Sequence, residues 1–519
     1  MRSRTQRSVA GLMAAGLLFA ACGSDDAADV ANSVADGAEE TADSVADAAE
    51  ETADSVTDDT AMTEDTAMTE DTAMTEDSAM TEDTMAEGED DGAMASGEEL
   101  ATEGSVEIAA GTTLELDDCP DDWDPMQGVT DSEIRIGESL PQSGPLASFG
   151  AIGEGMSYYF EYLNENDPIG DRDLVLVTKD DAYEAGRTVA NVQELIDSDE
   201  VFALAHIIGT PNNLAARPIT DEACVPQLFN STGFPLWGDP ANFPWTVGNI
   251  LNYATETEIW CEDMIGEFGE GVTVAALIMN NDFGTTYLDT LQNSEACAGI
   301  DIVESQLHDP AAPDITNEMT TLVGTDAQVL IGGTTGAFCP QAAASLAASE
   351  WRPKFYNSYT CNNLASFYAP VAEQIATLGE SAPIVANSNK VCGDPAYADD
   401  PSIQLTQEIL DEYGNGTTCE DGSFSTGVLY GQFLEDVLRT ANDMPGGLNR
   451  VNLMAAVWNA DTTNDNLLGG TLKLDGVNDA YWTEAAQLQR VTAGDDGSLS
   501  FEAVGDLSDF EGEGGSYQG

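Results

Sequence analysis

From Thr130 onward the chain alternates short apolar runs with stretches in which apolar residues recur every three or four positions. Ile134 to Glu138, Leu174 to Thr178, Val201 to Ile208 and Gln227 to Asn230 are short, apolar and bounded by turn residues, so they predict strands. Between them, Ile152, Met156, Tyr159, Phe160 and Leu163 fall on one face of a helix, and Ala185 to Ile196 repeats that spacing. A second set follows, with strands at Val272 to Ile278, Ile302 to Gln306, Val329 to Ile331 and Lys354 to Tyr356, and helices around Thr285 to Gln292 and Pro340 to Ala348. Strands alternating with helices build parallel sheets through right-handed crossovers. Two such sets predict an α/β protein of two doubly wound lobes with a cleft between them. The run from Ile134 through Ser143-Gly-Pro145 to Gly150 predicts one wall of that cleft, because a turn between a strand's carboxyl end and a helix N-terminus is where open α/β sheets bind ligands.

The first hundred residues follow another pattern. A basic start, Met1 to Arg7, precedes an apolar run from Val9 to Ala21, the form of a signal peptide over 1–21 and too short for a membrane span. Leu18-Phe-Ala-Ala-Cys22 resembles the bacterial lipoprotein signal, with Phe19 where an aliphatic residue is usual. That resemblance implies lipid attachment at Cys22 and an extracytoplasmic protein anchored to the membrane. Residues 22–105 are acidic and repetitive: Ser33 to Asp43 recurs as Ser44 to Asp54, and Met62-Thr-Glu-Asp-Thr-Ala67 repeats to about Met85. No Lys or Arg lies between Arg7 and Arg135, so this part is expected to be a disordered, self-repelling spacer. Residues 106–129 are expected to be a linker and 501–519 an acidic, Gly-rich tail.

Charge and cysteines narrow the function classes. Ninety-five Asp and Glu against fifteen Lys and Arg leave a net charge of −80, which excludes nucleic acid and binding to an anionic membrane through the protein surface. The excess suits a protein kept soluble in salty surroundings, where repulsion is screened. Nine cysteines less Cys22 leave eight, without CxxC metal spacing, so disulfides are expected. Sequence does not choose among the possible connectivities; pairing successive neighbours joins Cys119 to Cys224, Cys261 to Cys297, Cys339 to Cys361 and Cys392 to Cys419. With two histidines and no GxSxG, HExxH or Walker pattern, the chain reads as no enzyme, with no cofactor and no metal. His206, inside an apolar strand, reads as a hydrogen-bonded core residue. The acidic stretch Asp117 to Asp124 lacks an EF-hand pattern and reads as solvated linker.

Four motifs then carry a family resemblance. Ser143 to Gly150, Thr178-Lys-Asp-Asp181, His206-Ile-Ile-Gly209 and Asn280-Asn-Asp-Phe-Gly284 resemble, in order and spacing, the type I periplasmic binding proteins for leucine, isoleucine and valine. The resemblance covers roughly Thr130 to Gly494. It implies a hinged receptor whose chain crosses three times between lobes, closes on a small molecule and hands it to an ABC permease in the membrane. It also implies a monomer. Lobe 1 would comprise 130–249 and about 385–460, and lobe 2 250–384 and about 461–500. Phe424 to Leu438 resembles the helix returning to the first lobe, and Gly470 to Asp475 a strand of the closing segment.

The family holds its ligand's carboxylate with hydroxyls and backbone N–H groups, which implies Thr210, Ser231 and Thr232 here, with Ser143 in the first turn. Phe149 and Phe283 take aromatic positions of the family's cleft wall. Amino-acid binders also place an acidic residue after the strand matching Lys354 to Tyr356, to pair with the ligand ammonium; this chain has Tyr359 near that position. A buried ammonium without a partner is costly. Branched-chain amino acids, amides and aromatic acids therefore stay open as ligands, with Asp180 and Asp282 as substitute charges. The same fold also serves sensing receptors not coupled to transport.

Overall fold

In the computed structural model, which describes residues 101–494, 497–512 and 514–517, the strands β1 (Ser105–Ala109) and β2 (Thr112–Glu115) pair as an antiparallel hairpin. The expected signal peptide, Cys22 and the acidic repeats lie outside the described residues. The hairpin corrects the expectation of a linker over 106–129. Alternate residues Ile108, Leu114 and Leu116 are buried, and Asn459 Nδ2 donates to Ile108 O at 2.7 Å. Further along, Trp123 Nε1 donates to Cys224 O at 3.0 Å, and the Cys119–Cys224 disulfide ties the same stretch to lobe 1. Acidic residues mask this packing in the sequence because they occupy the outward positions between the apolar ones.

Lobe 1 is a five-stranded parallel sheet built from β3 (Glu133–Leu140), β4 (Asp173–Asp180), β5 (Ala203–Ala205), β6 (Gln227–Asn230) and β7 (Thr246–Gly248), in the order β4-β3-β5-β6-β7. The connections are α1 (Gly150–Asn166), α2 (Ala185–Asp197) and α3 (Thr210–Ala223). Val192, Leu195 and Ile196 of α2 pack with Val201, Leu204 and Ala216 as one core layer. The predicted face of α1, from Ile152 to Leu163, is buried in the other.

Lobe 2 opens with α4 (Tyr253–Phe268) and contains β8 (Val272–Met279), α5 (Asp282–Asn293), β9 (Ile300–His308), α6 (Thr316–Val323), β10 (Val329–Gly333), α7 (Phe338–Ala347), β11 (Lys354–Asn357), α8 (Ala372–Leu378) and β12 (Ile384–Asn387). The chain then returns through α9 (Pro401–Tyr413), α10 (Phe424–Asp443) and α11 (Arg450–Trp458). Helix α10 lies against α1 almost backbone to backbone: a Cβ on Gly427 would stand 2.0 Å from Ile152 O, and one on Gly155 1.9 Å from Phe424 O. Glycine at both positions permits the crossing.

A third crossing carries a two-strand ribbon, β13 (Asp461–Thr462) with β14 (Leu472–Lys473), and ends in β15 (Ala485–Ala493) and β16 (Leu499–Asp509). The Gly470 to Asp475 stretch thus contributes to this ribbon and not to a main sheet. The seven-stranded sheet runs β16-β15-β12-β11-β10-β8-β9, with β15 and β16 antiparallel. Residues 501–509 are therefore an edge strand, not a tail; Leu499 and Phe501 are buried while Glu502, Asp506 and Asp509 belong to the partly or fully exposed set that made the segment look like solvent-borne chain. The crossings bind one another: Thr483 Oγ1 donates to Asn249 O at 2.7 Å, Leu468 N to Ser388 O at 2.9 Å and Lys390 N to Asn466 O at 2.8 Å. Disulfides join Cys119 to Cys224, Cys261 to Cys297, Cys339 to Cys361 and Cys392 to Cys419. Among the described residues, no helix is long and apolar enough to cross a membrane.

Candidate functional site

Loops that follow β3, β4, β5 and β6 in lobe 1, and β8, β10 and β11 in lobe 2, line one cavity of about 620 Å3, its open mouth included. The turn after β3 brings Leu146 and Phe149 to it, and the start of α5 brings Phe283. Gly209, with φ of 100°, leads into α3 beneath the ring of Tyr183; a Cβ there would lie 2.4 Å from Tyr183 Cε2, so only glycine allows this approach. Helix α10 adds Ser423, Thr426 and Tyr430, which share one face by their spacing of three and seven. The lobes also touch directly. Ala337 N donates to Pro145 O at 3.3 Å, and the rings of Phe149 and Phe367 meet edge to face at 5.9 Å.

The cavity is aromatic and uncharged. Among the described residues that line it there is no Asp, Glu, Lys, Arg or His. Burial pushes the Tyr430 phenol up to about 12 and those of Tyr183, Tyr253 and Tyr359 higher still, so every phenol facing the cavity is a neutral hydroxyl. Polar contacts come from hydroxyls and amides, including Ser231, whose Oγ lies 3.0 Å from Tyr430 Oη, and Asn363. The N-terminus of α3, which follows Gly209 and has no side-chain cap, adds the positive end of the helix dipole there.

Behind this wall sits Glu256, fully buried on α4. Its Oε1 accepts from Tyr359 N at 2.6 Å and its Oε2 from Tyr287 Oη at 2.7 Å. The chain continues from Tyr287 Oη to Ser358 Oγ at 2.8 Å and on to Thr360 Oγ1 at 2.9 Å, where it reaches the cavity. Burial raises the Glu256 carboxyl from 4.5 to about 8, against the smaller opposing effect of its two donors. A protonated Glu256 donates to Tyr287, Tyr287 to Ser358 and Ser358 to Thr360, which frees the Thr360 proton for a ligand acceptor. An ionised Glu256 reverses every link and turns that proton inward.

Comparison with known proteins matches residues 133–471 to the periplasmic binding protein family. The chain belongs to that family. Its relatives among solved structures include a branched-chain amino acid ABC transporter protein from Thermus thermophilus with bound valine, at 16% identity, covering 73% of this chain and 97% of that one with a TM-score of 0.62. A solute-binding protein from R. palustris in complex with 4-hydroxybenzoate is similar at 18% identity, covering 73% and 97%, with a TM-score of 0.58. A fatty acid ABC transporter substrate-binding protein from Thermomonospora curvata is 19% identical, covering 75% and 96%, also at 0.58. Among curated proteins, no sequence match was found. As a type I periplasmic binding protein, the chain shows the two doubly wound lobes and three crossings that its motifs imply.

In this periplasmic binding protein, four of the sequence-derived site residues, Phe149, Ser231, Phe283 and Tyr359, come together on the cavity. Three others do not line it. Thr210 and Thr232 are fully buried with their hydroxyls 2.5 Å apart, so they hydrogen-bond to each other outside the cavity lining. Ser143 is exposed and donates to Asp180 Oδ2 at 2.7 Å. Asp180 and Asp282 also stay outside the lining, which corrects their expected role as substitute charges; Asp180 is occupied by Gln142 N, Ala182 N and Ser143. His206 is buried, stacked on Tyr430 at 4.2 Å, and held down to about 3 by desolvation. Sequence reasoning missed Tyr183, Tyr253, Phe367 and Tyr430. The helical spacing of Ser423, Thr426 and Tyr430 was the one signal available for any of them.

Proposed function

We propose that this protein captures a small, largely apolar solute in the interlobe cavity and delivers it to an ABC importer, anchored beside the permease through Cys22. The solute is a carboxylate or a neutral carbonyl compound of benzoate or short-chain size, without an ammonium group. One observation carries this reading: the lining is aromatic and hydroxyl-bearing and holds no carboxylate to pair with an ammonium. The N-terminus of α3 and the Thr360 hydroxyl both favour an acceptor oxygen at the polar end. Solved structures of this fold include one with bound valine, one in complex with 4-hydroxybenzoate and one from a fatty acid ABC transporter, so the fold does not choose the ligand and the reading rests on the lining.

The test is thermal unfolding of the protein with benzoate, 4-hydroxybenzoate, isovalerate, benzamide, valine and leucine. A ligand held at a hundred times its Kd stabilises the folded state by about 2.7 kcal/mol. Upward shifts are expected with the carboxylates or the amide and none with valine or leucine. Shifts confined to the amino acids would refute the ligand class, and no shift with any small solute would refute solute capture.

A further inference from the structure

The third crossing gathers a second group of side chains, none of them among those that line the cavity. Asp479 and Glu484, both buried, and Glu511, just beyond β16, bring one carboxylate oxygen each to within 4.8 Å of one another. Asp479 is only 3% exposed, yet neither of its oxygens receives a hydrogen bond, and Oε1 of Glu511 is likewise buried without a donor. The groups facing Asp479 are Glu484 and Glu511, which as carboxylates only accept. Gly512 N donates to Glu484 Oε2 at 2.7 Å, and Lys473 Nζ, on a partly exposed side chain, stands 3.9 Å from Asp479 Oδ2. One solvated lysine does not offset three clustered acids, two of them buried, with Asp475 adding to the negative field.

A cation resolves both the charge and the unfilled oxygens. Calcium takes oxygen ligands at roughly 2.3–2.6 Å, so two ligands on opposite sides of one ion lie at most about 5 Å apart, which accommodates the observed spread. Magnesium binds at about 2.0–2.1 Å in a stricter octahedron and gives up its water reluctantly, so it fits less well. We infer that Asp479, Glu484 and Glu511 form a calcium-type divalent-cation site that fastens the segment after β16 to the third crossing between the lobes. Motif reading does not reveal it, because the ligands lie on opposite sides of the β15–β16 hairpin in sequence.

The probe is calcium itself, on the full chain stripped with EDTA and titrated with CaCl2 at pH 8. Wild type, Asp479→Asn and Glu511→Gln carry the same acidic repeats, so diffuse binding there is common to all three. A saturable rise in melting temperature with one equivalent of calcium is expected in wild type and is expected to vanish in both variants, with Asp479→Asn at least as stable as wild type in EDTA. Terbium luminescence, sensitised by neighbouring Tyr481, is expected to show the same loss in Glu511→Gln, the more conservative change should Asp479→Asn fold poorly. A wild type whose melting ignores calcium, or variants that respond as wild type does, would overturn the site. A fall in stability from pH 6 to pH 9 that is steeper in wild type than in Glu511→Gln, and that calcium does not restore, would show that protons alone neutralise the cluster, and would also overturn it.

Discussion

Replacing Glu256 by glutamine is expected to remove an alkaline weakness from both stability and ligand binding. The carboxyl ionises at 4.5 in the unfolded chain and at about 8 in the folded protein, because it is buried behind Tyr359. Between those values the folded state holds a proton that the unfolded state has lost, so stability falls as pH rises. Each pH unit in that interval is worth about 1.4 kcal/mol, which places the whole effect at no more than roughly 5 kcal/mol. Below 4.5 both states are protonated, and above about 8 both are ionised, so the loss is confined to that window. Glutamine keeps the shape: its Oε1 accepts from Tyr359 N and its Nε2 donates to Tyr287 Oη, which then donates toward Ser358. Glu138, also raised to about 8, acts in the same direction but is common to both proteins, so the difference between wild type and variant isolates Glu256. Urea unfolding at pH 5, 7 and 9 is expected to show Glu256→Gln gaining on wild type with each step, by several kcal/mol at pH 9. In parallel, affinity for an acceptor ligand is expected to drop above about pH 8 in wild type only, as the Thr360 proton turns inward. A wild-type-minus-variant difference that is constant with pH, or that favours wild type at high pH, would refute the assignment.

Two further outcomes follow from the geometry. Phe149→Ala removes an interlobe aromatic contact of about 0.5–1.5 kcal/mol together with part of the cavity wall, so calorimetric Kd for the best ligand is expected to rise roughly 5- to 30-fold while the protein still unfolds cooperatively; an unchanged Kd would remove Phe149 from the closure contact. Gly427→Ala places a methyl 2.0 Å from Ile152 O and is expected to cost about 3 kcal/mol or more by forcing α10 from α1, read as a lower melting temperature. An unchanged melting temperature would show that the two backbones do not meet as described.

Much of the fold was legible because its signals are local. The apolar face of α1, the short strands at Ile134, Leu174 and Val272, and the glycine-proline turn before Phe149 each follow from a few neighbouring residues. What escaped were segments whose partners lie far along the chain. The hairpin over 105–115 and the edge strand β16 alternate buried apolar with outward acidic residues, and against an acidic background such alternation reads as linker and tail. At the cleft, Phe149, Ser231, Phe283 and Tyr359 were visible through the family resemblance of the segments that carry them, whereas Tyr183 and Tyr253 line the cavity without falling on a position that resemblance marks.

The sequence by itself determined two α/β lobes, the place of the cleft between them, and the absence of an obvious acidic partner for an amino group near Tyr359. Tertiary structure alone decided that Thr210 and Thr232 hydrogen-bond to each other, that Asp180 and Asp282 stay outside the cavity lining, and that a chain of hydrogen bonds links Glu256 to the Thr360 hydroxyl from behind the wall. The reason is physical. Which residues can line a cleft follows from local pattern, but which hydroxyl is free, which carboxyl is buried and which charges meet depend on contacts between residues as distant as Glu256 and Tyr359, or Asp479 and Glu511.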